Sequence, residues 1–261
     1  MRSRPTIHSP YSQDDGEYPD LEFTETEQEQ LQQLQPHLML AGELQETAVP
    51  YISQTILQSA IEWFAKELIE IVETYGPEKV IVTSNIEGAT WFWRRLRAAL
   101  IHQAYPPDIL TAKTIRVTTN TGFKTFKPEV NQAKLKWLAP EELQDKILVS
   151  LDDIGDSGFT QAAIAELALK DGAQEVITVN LLEKLLPAPA KKLHQPDYAL
   201  LISKHAFLIG GGLDSGTTEA EREKLFRNLN LIAVLEQQLI TERDSLLATT
   251  PEGLPLPNHL H

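Results

Sequence analysis

Three aspartates fall within five positions of the stretch ILVSLDDIGDSGFTQAAIAELALKDGA, residues 147–173. Asp152 and Asp153 close an apolar run, and Asp156 follows three residues later. A folding strand has no need of three acids so close together, so their chemistry points to a ligand. Residues Asp156, Ser157, Gly158, Phe159 and Thr160 form a small-residue turn ahead of a helical pattern that starts at or just after Thr160. A turn of this kind leaves backbone N–H groups facing outward at a helix N-terminus, which suits a phosphate. Gly158 lets the backbone approach closely, and Ser157 and Thr160 add hydroxyl donors. The acids would repel a phosphate if they faced it, whereas sugar hydroxyls would donate hydrogen bonds to them. A phosphorylated sugar therefore satisfies both halves of the stretch. The plainer alternative is an acidic strand end with Asp156 as an N-cap. Two other phosphate loops are missing: there is no G-x-x-x-x-G-K-[ST], and the GGG at 210–212 is not G-x-G-x-x-G.

The elements that must position these residues alternate in type. ISQTILQSAIEWFAKELIEIVETYG sets Ile56, Ala60, Phe64, Leu68 and Ile71 on one helical face, with Gly76 as its C-terminal stop. KVIVTS reads as a buried strand, GATWFWRRLRAALIHQ as a helix and DILTAKTIRVTT as a strand. KILVSL, TQAAIAELALKDG and EVITVNLLE repeat the strand, helix, strand order, and PDYALLIS and LNLIAVLE add strands. This order predicts an α/β fold, a twisted parallel sheet flanked by helices, with ligands bound at the C-terminal edge of the strands. Residues 120–137 are polar and irregular, a candidate mobile loop. Residues 1 to about 20 read as disordered. FTETEQEQLQQLQ carries a capping box, Thr24 with Glu27, and a glutamine-rich helix. The expected division is an N-terminal extension over 1–49, partly disordered and partly helical, a main domain over 50–245 and a tail over 246–261.

Composition narrows the function classes. The net charge of −14 argues against general affinity for nucleic acid or anionic membranes. The absence of cysteine excludes disulfides, thiol catalysis and thiolate metal sites. No apolar run is long enough to span a bilayer, and the first twenty residues lack the apolar core of a signal peptide. The expectation is a cytoplasmic protein.

LVSLDDIGDSGFT resembles the phosphoribosyl-pyrophosphate motif of type I phosphoribosyltransferases: a strand, two acids, two small or apolar residues, then D-[ST]-G-x-T. VNLLEKLLP, PDYALLISKHAFLIGGGLD and LFRNLNLIAVL are similar, in order, to segments of the hypoxanthine-guanine branch. VIVTSNIEGATWFWRRLRAAL resembles its pyrophosphate loop and following helix. The likeness runs over about residues 50–236 and implies a small hood above the sheet.

The resemblance implies an Mg2+-dependent transfer of a phosphoribosyl group from phosphoribosyl pyrophosphate to a 6-oxopurine, hypoxanthine or guanine, in purine salvage. Asp156 through Thr160 would hold the 5-phosphate. Asp152 and Asp153 would hold the ribose hydroxyls and the magnesium shell, and Asp156 would be the catalytic acid/base. Lys184 would donate to purine O6, Phe207 would stack on the base and Leu208 would read its edge through the backbone. Asp214 would face the base pocket and the second magnesium, so that the metal-facing acids are Asp153 and Asp214. Glu87, Gly88 and Arg227 would meet the pyrophosphate. The implied partners are phosphoribosyl pyrophosphate and a purine base or nucleotide, in a homodimer or homotetramer. Taken singly, Lys184, Phe207, Asp214 and Arg227 each also fit a structural role.

Three departures stand out. Glu87 occupies a place where the family commonly has lysine. Thr119-Asn120 stands where it has Ser-Tyr, and the segment between Asp214 and Arg227 is longer. They open a second reading, a non-catalytic ligand sensor that acts on a partner through its N-terminal extension.

Overall fold

The computed structural model describes residues 5–16, 18, 23–38, 46–85, 88–117, 119–120, 129–130, 135–186, 192–204, 208–213 and 229–237. In chain order they form β1 (Ile7–His8), α1 (Glu25–Leu38), β2 (Glu46–Ile52), α2 (Gln54–Tyr75), β3 (Val80–Asn85), α3 (Gly88–His102) and, after a 3-10 turn at Pro107–Ile109, β4 (Thr111–Ile115). A short pair, β5 (Thr119–Asn120) and β6 (Glu129–Val130), follows, and then α4 (Pro140–Leu143), β7 (Ile147–Gly155), α5 (Phe159–Lys170), β8 (Glu175–Lys184), β9 (Tyr198–Ser203), β10 (Leu208–Gly210) and β11 (Ile232–Gln237).

Alternation along the central strands divides the core in two. Val80 and Val82 of β3, with Ile147, Val149 and Leu151 of β7, pack with Phe64 and Leu68 of α2 and Phe92 and Leu96 of α3. Ile81 and Leu148, one residue out of phase, pack with Ala163, Ile164 and Ala168 of α5. The period of two thus buries both faces of one sheet under helices, as expected. Its strand order is β1-β9-β8-β7-β3-β4, and every neighbouring pair is parallel. Phe64 is fully buried at the α2 contact, and Phe64→Ala there would cost about 3–5 kcal/mol.

Helix α2 is held at both ends. Ser53 is its N-cap, and Gly76 closes it with φ +89° and an N–H to Val72 O at 2.8 Å. The predicted capping box is present: Glu27 accepts from the backbone N–H and the hydroxyl of Thr24, both at 2.8 Å. The same buried carboxylate accepts from Gln54 N–H at 2.6 Å, so one acid serves the first turns of α1 and α2.

A second sheet, β10-β11-β2, is antiparallel and uses the chain just before α2 together with its last described strand. It corresponds to the expected small hood.

One reading needs correction. Residues 5–16, expected to be disordered, lie along β9. Ile7 pairs with Tyr198, Ser9 Oγ donates to Leu200 O at 2.5 Å, and Ser12 Oγ accepts from Ile202 N–H at 2.9 Å. Hydroxyls, not apolar side chains, hold this edge, so its composition resembles that of a solvated tail. The interval 120–137 is anchored on both sides. Thr119–Asn120 pairs with Glu129–Val130, Arg116 and Lys136 exchange backbone hydrogen bonds at 2.8 and 2.9 Å, and Trp137 Nε1 donates to Asp171 at 2.9 Å. Residues 121–128 and 131–134 lie outside the described residues.

Candidate ligand site at the end of strand β7

Strand β7 runs further than the apolar run predicts. It includes Asp152, Asp153, Ile154 and Gly155, and pairs Asp152 with Asn180 and Gly155 with Glu183 of β8. The acids are therefore held by a ladder rather than by a loose turn. After three intervening residues α5 begins at Phe159, one position ahead of the expected start. Gly158 is its N-cap, with φ +77° and ψ 5°, a left-handed conformation that glycine adopts without strain. Gly158 has no side chain to cap the helix, so the alternative of Asp156 as an N-cap is not realised. The Phe159 N–H donates to Ser157 Oγ at 3.4 Å. The amides that follow face the helix terminus, where an anion binds.

Helix α3 starts at Gly88, directly beyond the neighbouring strand β3, so two helix N-termini meet the same sheet edge. Their partial positive charges offset the acids there.

Asp152 is 7% exposed. Burial, reinforced by the charge of adjacent Asp153, pushes its carboxyl well above the usual carboxylate range. Asn85 eases this with a side-chain hydrogen bond. The same carboxamide accepts from Val117 N–H at 3.1 Å and donates to Val117 O at 3.3 Å. Asn85 thus ties Asp152 to the chain that leads into β5. Asp153 turns its carboxylate back to accept from Ile154 N–H at 2.9 Å.

Lys184 is the last residue of β8, and its side chain is 14% exposed. Its Nζ stands 3.7 Å from Asp156 Oδ2. The expected reader of a purine oxygen and the expected acid/base therefore share one corner of the sheet edge. Leu208 opens β10 and is buried in the hood. Gly88 is the first residue of α3. Glu87, Phe207, Asp214 and Arg227 lie outside the described residues.

Beneath the turn sits a buried polar network that the sequence did not reveal. Glu183 accepts from Asn180 Nδ2 at 2.7 Å and pairs with Lys192, and Asn180 Oδ1 accepts from Gln161 at 3.2 Å. Gly155 makes room for it: a Cβ there would fall 1.9 Å from Glu183 Oε2 and 2.1 Å from Asn180 Nδ2. Burial pushes the Glu183 carboxyl up, against the opposing pull of Lys192. Lys192 falls in PAPAKKLHQPD, which reads as a proline-rich connector and carries no periodic signal.

Among the described residues no cluster of three or more histidines and carboxylates is arranged to hold a metal by itself. Asp152 and Asp153 nevertheless supply hard oxygen donors on adjacent residues. That set fits Mg2+, which binds through one or two carboxylates and takes its other ligands from phosphates and water.

No family model and no curated protein sequence matches the chain. Solved structures do. A hypoxanthine phosphoribosyltransferase from Trypanosoma cruzi, a lysine-to-arginine variant in a ternary substrate complex, is 20% identical with TM-score 0.59, over 74% of this chain and 96% of that one. The hypoxanthine-guanine phosphoribosyltransferase of L. donovani is 20% identical with TM-score 0.57, over 72% and 96%. An asparagine variant from a study of an invariant aspartic acid in these enzymes is 19% identical with TM-score 0.60, over 77% and 98%. The chain has the type I phosphoribosyltransferase fold, in the form seen in the hypoxanthine-guanine enzymes.

Proposed function

We propose that this chain, folded as a type I phosphoribosyltransferase, transfers a phosphoribosyl group from phosphoribosyl pyrophosphate to a 6-oxopurine and releases pyrophosphate. The observation that carries the reading is the meeting of Lys184 and Asp156 at 3.7 Å, beside two strand-held carboxylates and an uncapped helix N-terminus.

In this reading the turn Asp156–Thr160 takes the 5-phosphate on its amides and on the Ser157 and Thr160 hydroxyls. Asp152 and Asp153 accept from the ribose hydroxyls. As the base N9 bonds to C1, the bond from C1 to the pyrophosphate oxygen breaks and its electron pair leaves with pyrophosphate. Positive charge develops on the ribose, and the two carboxylates below it stabilise that charge. Asp156 accepts the proton that the base sheds, a role worth about 10²–10⁴-fold. Lys184 donates to the 6-oxo group, and adenine, whose 6-amino group cannot accept that bond, is disfavoured. Asp153 with Asp152 would hold Mg2+, which would supply charge neutralisation for the departing pyrophosphate. Phe207 as the stacking residue, the Leu208 backbone as a reader of the base edge, Asp214 as a second metal-facing acid, and Glu87, Gly88 and Arg227 at the pyrophosphate complete the proposal from the sequence resemblance.

The test is pyrophosphate release from phosphoribosyl pyrophosphate and Mg2+, with hypoxanthine, guanine, xanthine and adenine supplied separately. Turnover with 6-oxopurines and not with adenine is expected. Tight binding of a purine ribonucleotide with no turnover on any base would instead identify a ligand sensor.

A further inference from the structure

Three consecutive residues cross behind the acidic turn and touch it in order. Lys192 Nζ donates to Gly155 O at 2.8 Å. Leu193 N–H donates to Ser157 O at 2.9 Å. The His194 backbone lies against Gly158, where a Cβ would fall 2.5 Å from His194 O. Each end of this strap has its own anchor. Lys192 pairs with Glu183, and both side chains are under 9% exposed, at 7% and 8%. His194 Nε2 lies 2.9 Å from Thr178 Oγ1, whose proton goes to Asp197 Oδ2 at 3.0 Å, so the imidazole is the donor.

The consequence follows from peptide geometry. In a trans peptide the C=O of one residue and the N–H of the next point in opposite directions. Pinning the Gly155 carbonyl to the strap therefore turns the Asp156 N–H away from it. Pinning the Ser157 carbonyl does the same for the Gly158 N–H. Two amides are aimed together at the open side of the turn before any anion arrives, which is the arrangement of an anion-binding nest. A free turn of this length would have to freeze those peptide planes on binding, at a cost in conformational entropy.

We propose that residues 192–194 form the positioning strap of the phosphate-binding turn, with Lys192, paired to Glu183, as the residue that sets its amides for the 5-phosphate. The inference rests on the proposed function, in which this turn takes that phosphate. Lys192 is a positioning residue: it holds a carbonyl behind the turn and acts on the ligand through the peptide it fixes.

The probe is ribose 5-phosphate, titrated by calorimetry into the full chain, so that turnover is not required. Lys192→Met is expected to weaken binding by about tenfold, the loss of one charge-assisted hydrogen bond. Lys192→Arg should restore most of it. In turnover, KM for phosphoribosyl pyrophosphate should rise while KM for the base stays unchanged. A merely structural role would lower the melting temperature and weaken both substrates alike. Because Lys192→Met strands Glu183 without its partner, the double variant Lys192→Met/Glu183→Met serves as the second arm. It removes both charges and should stay folded yet keep the binding defect. Wild-type affinity in a folded Lys192→Met or double variant would overturn the strap while leaving the transferase reading intact. Wild-type protein that binds neither ribose 5-phosphate nor purine ribonucleotide would overturn both.

Discussion

At the C-terminal edge of the parallel sheet, buried Asp152 and Glu183 stand beside Lys184 and Lys192, under the N-termini of α3 and α5. At the N-terminal edge, Glu67, Glu70 and Asp197 border a cavity of about 270 Å3 with Tyr75 and Tyr198, and no described lining residue is basic. Burial raises carboxyls at both edges. The Glu67 carboxyl is pushed up by burial and then by Glu70, and the Tyr198 phenol is pushed up to about 12 by burial and then by Glu67. What differs is everything else. Helix α2 ends at this lower edge in Tyr75 and directs its carbonyl end there, which adds to the negative potential. The upper edge receives two amide ends and two lysines. The first arrangement repels a phosphate, whereas the second suits one.

The largest effect expected on the upper edge comes from Gly155→Ala. Its methyl group would overlap the side-chain ends of Glu183 and Asn180, and the variant should lose about 3 kcal/mol in urea unfolding. Asp156→Asn should reduce turnover by about 10²-fold or more, measured as pyrophosphate release, with ribose 5-phosphate binding largely retained. Lys184→Gln should raise KM for 6-oxopurines by about tenfold, with little change for phosphoribosyl pyrophosphate. Equal loss for both substrates would take Lys184 out of the base pocket.

Asp152→Asn tests the electrostatic side of the contrast. The folded-state pKa of Asp152 is raised, so the folded protein holds this proton more tightly than the unfolded chain does. The stability associated with it is complete below the unfolded value, about 4, and is lost as pH rises through the folded value. At pH 7 the asparagine variant should therefore be more stable than the wild type, by on the order of 1 kcal/mol, and far less active. The stability gap should close near pH 4 in thermal melts. The smallest effect belongs to the lower edge: Glu67→Gln should leave turnover unchanged. A loss of activity there would break the contrast between the edges.

The same contrast explains what could be read from the chain. Strands β3, β7 and β8 and helix α2 announce themselves by period, because each buries an apolar face. Asp152, Asp153 and Asp156 stand out by their spacing at the end of an apolar run, and Lys184 only by the family resemblance of its segment. Lys192, His194 and Asn85 do not announce themselves. Each acts on a group far along the chain, Lys192 on the Gly155 carbonyl, Asn85 on the Val117 backbone and His194 on the Thr178 hydroxyl, and no local pattern records such a bond. The N-terminal strand escapes for a related reason. Ser9, Ser12 and Tyr18 fasten it to β9 through single hydroxyls, with Tyr18 donating to Ile202 O at 2.9 Å.

That strand also sets an order of assembly. Ile7 and His8 pair with residues about 190 positions away, and β2 pairs with β11 at a similar remove. On a ribosome these segments emerge long before their partners exist. The α/β layers between them can pack first, and residues 5–16 then dock onto β9 along the edge of the sheet. Slow refolding phases should accordingly report on the sheet edge and the hood, after the β7–α5 turn is already in place.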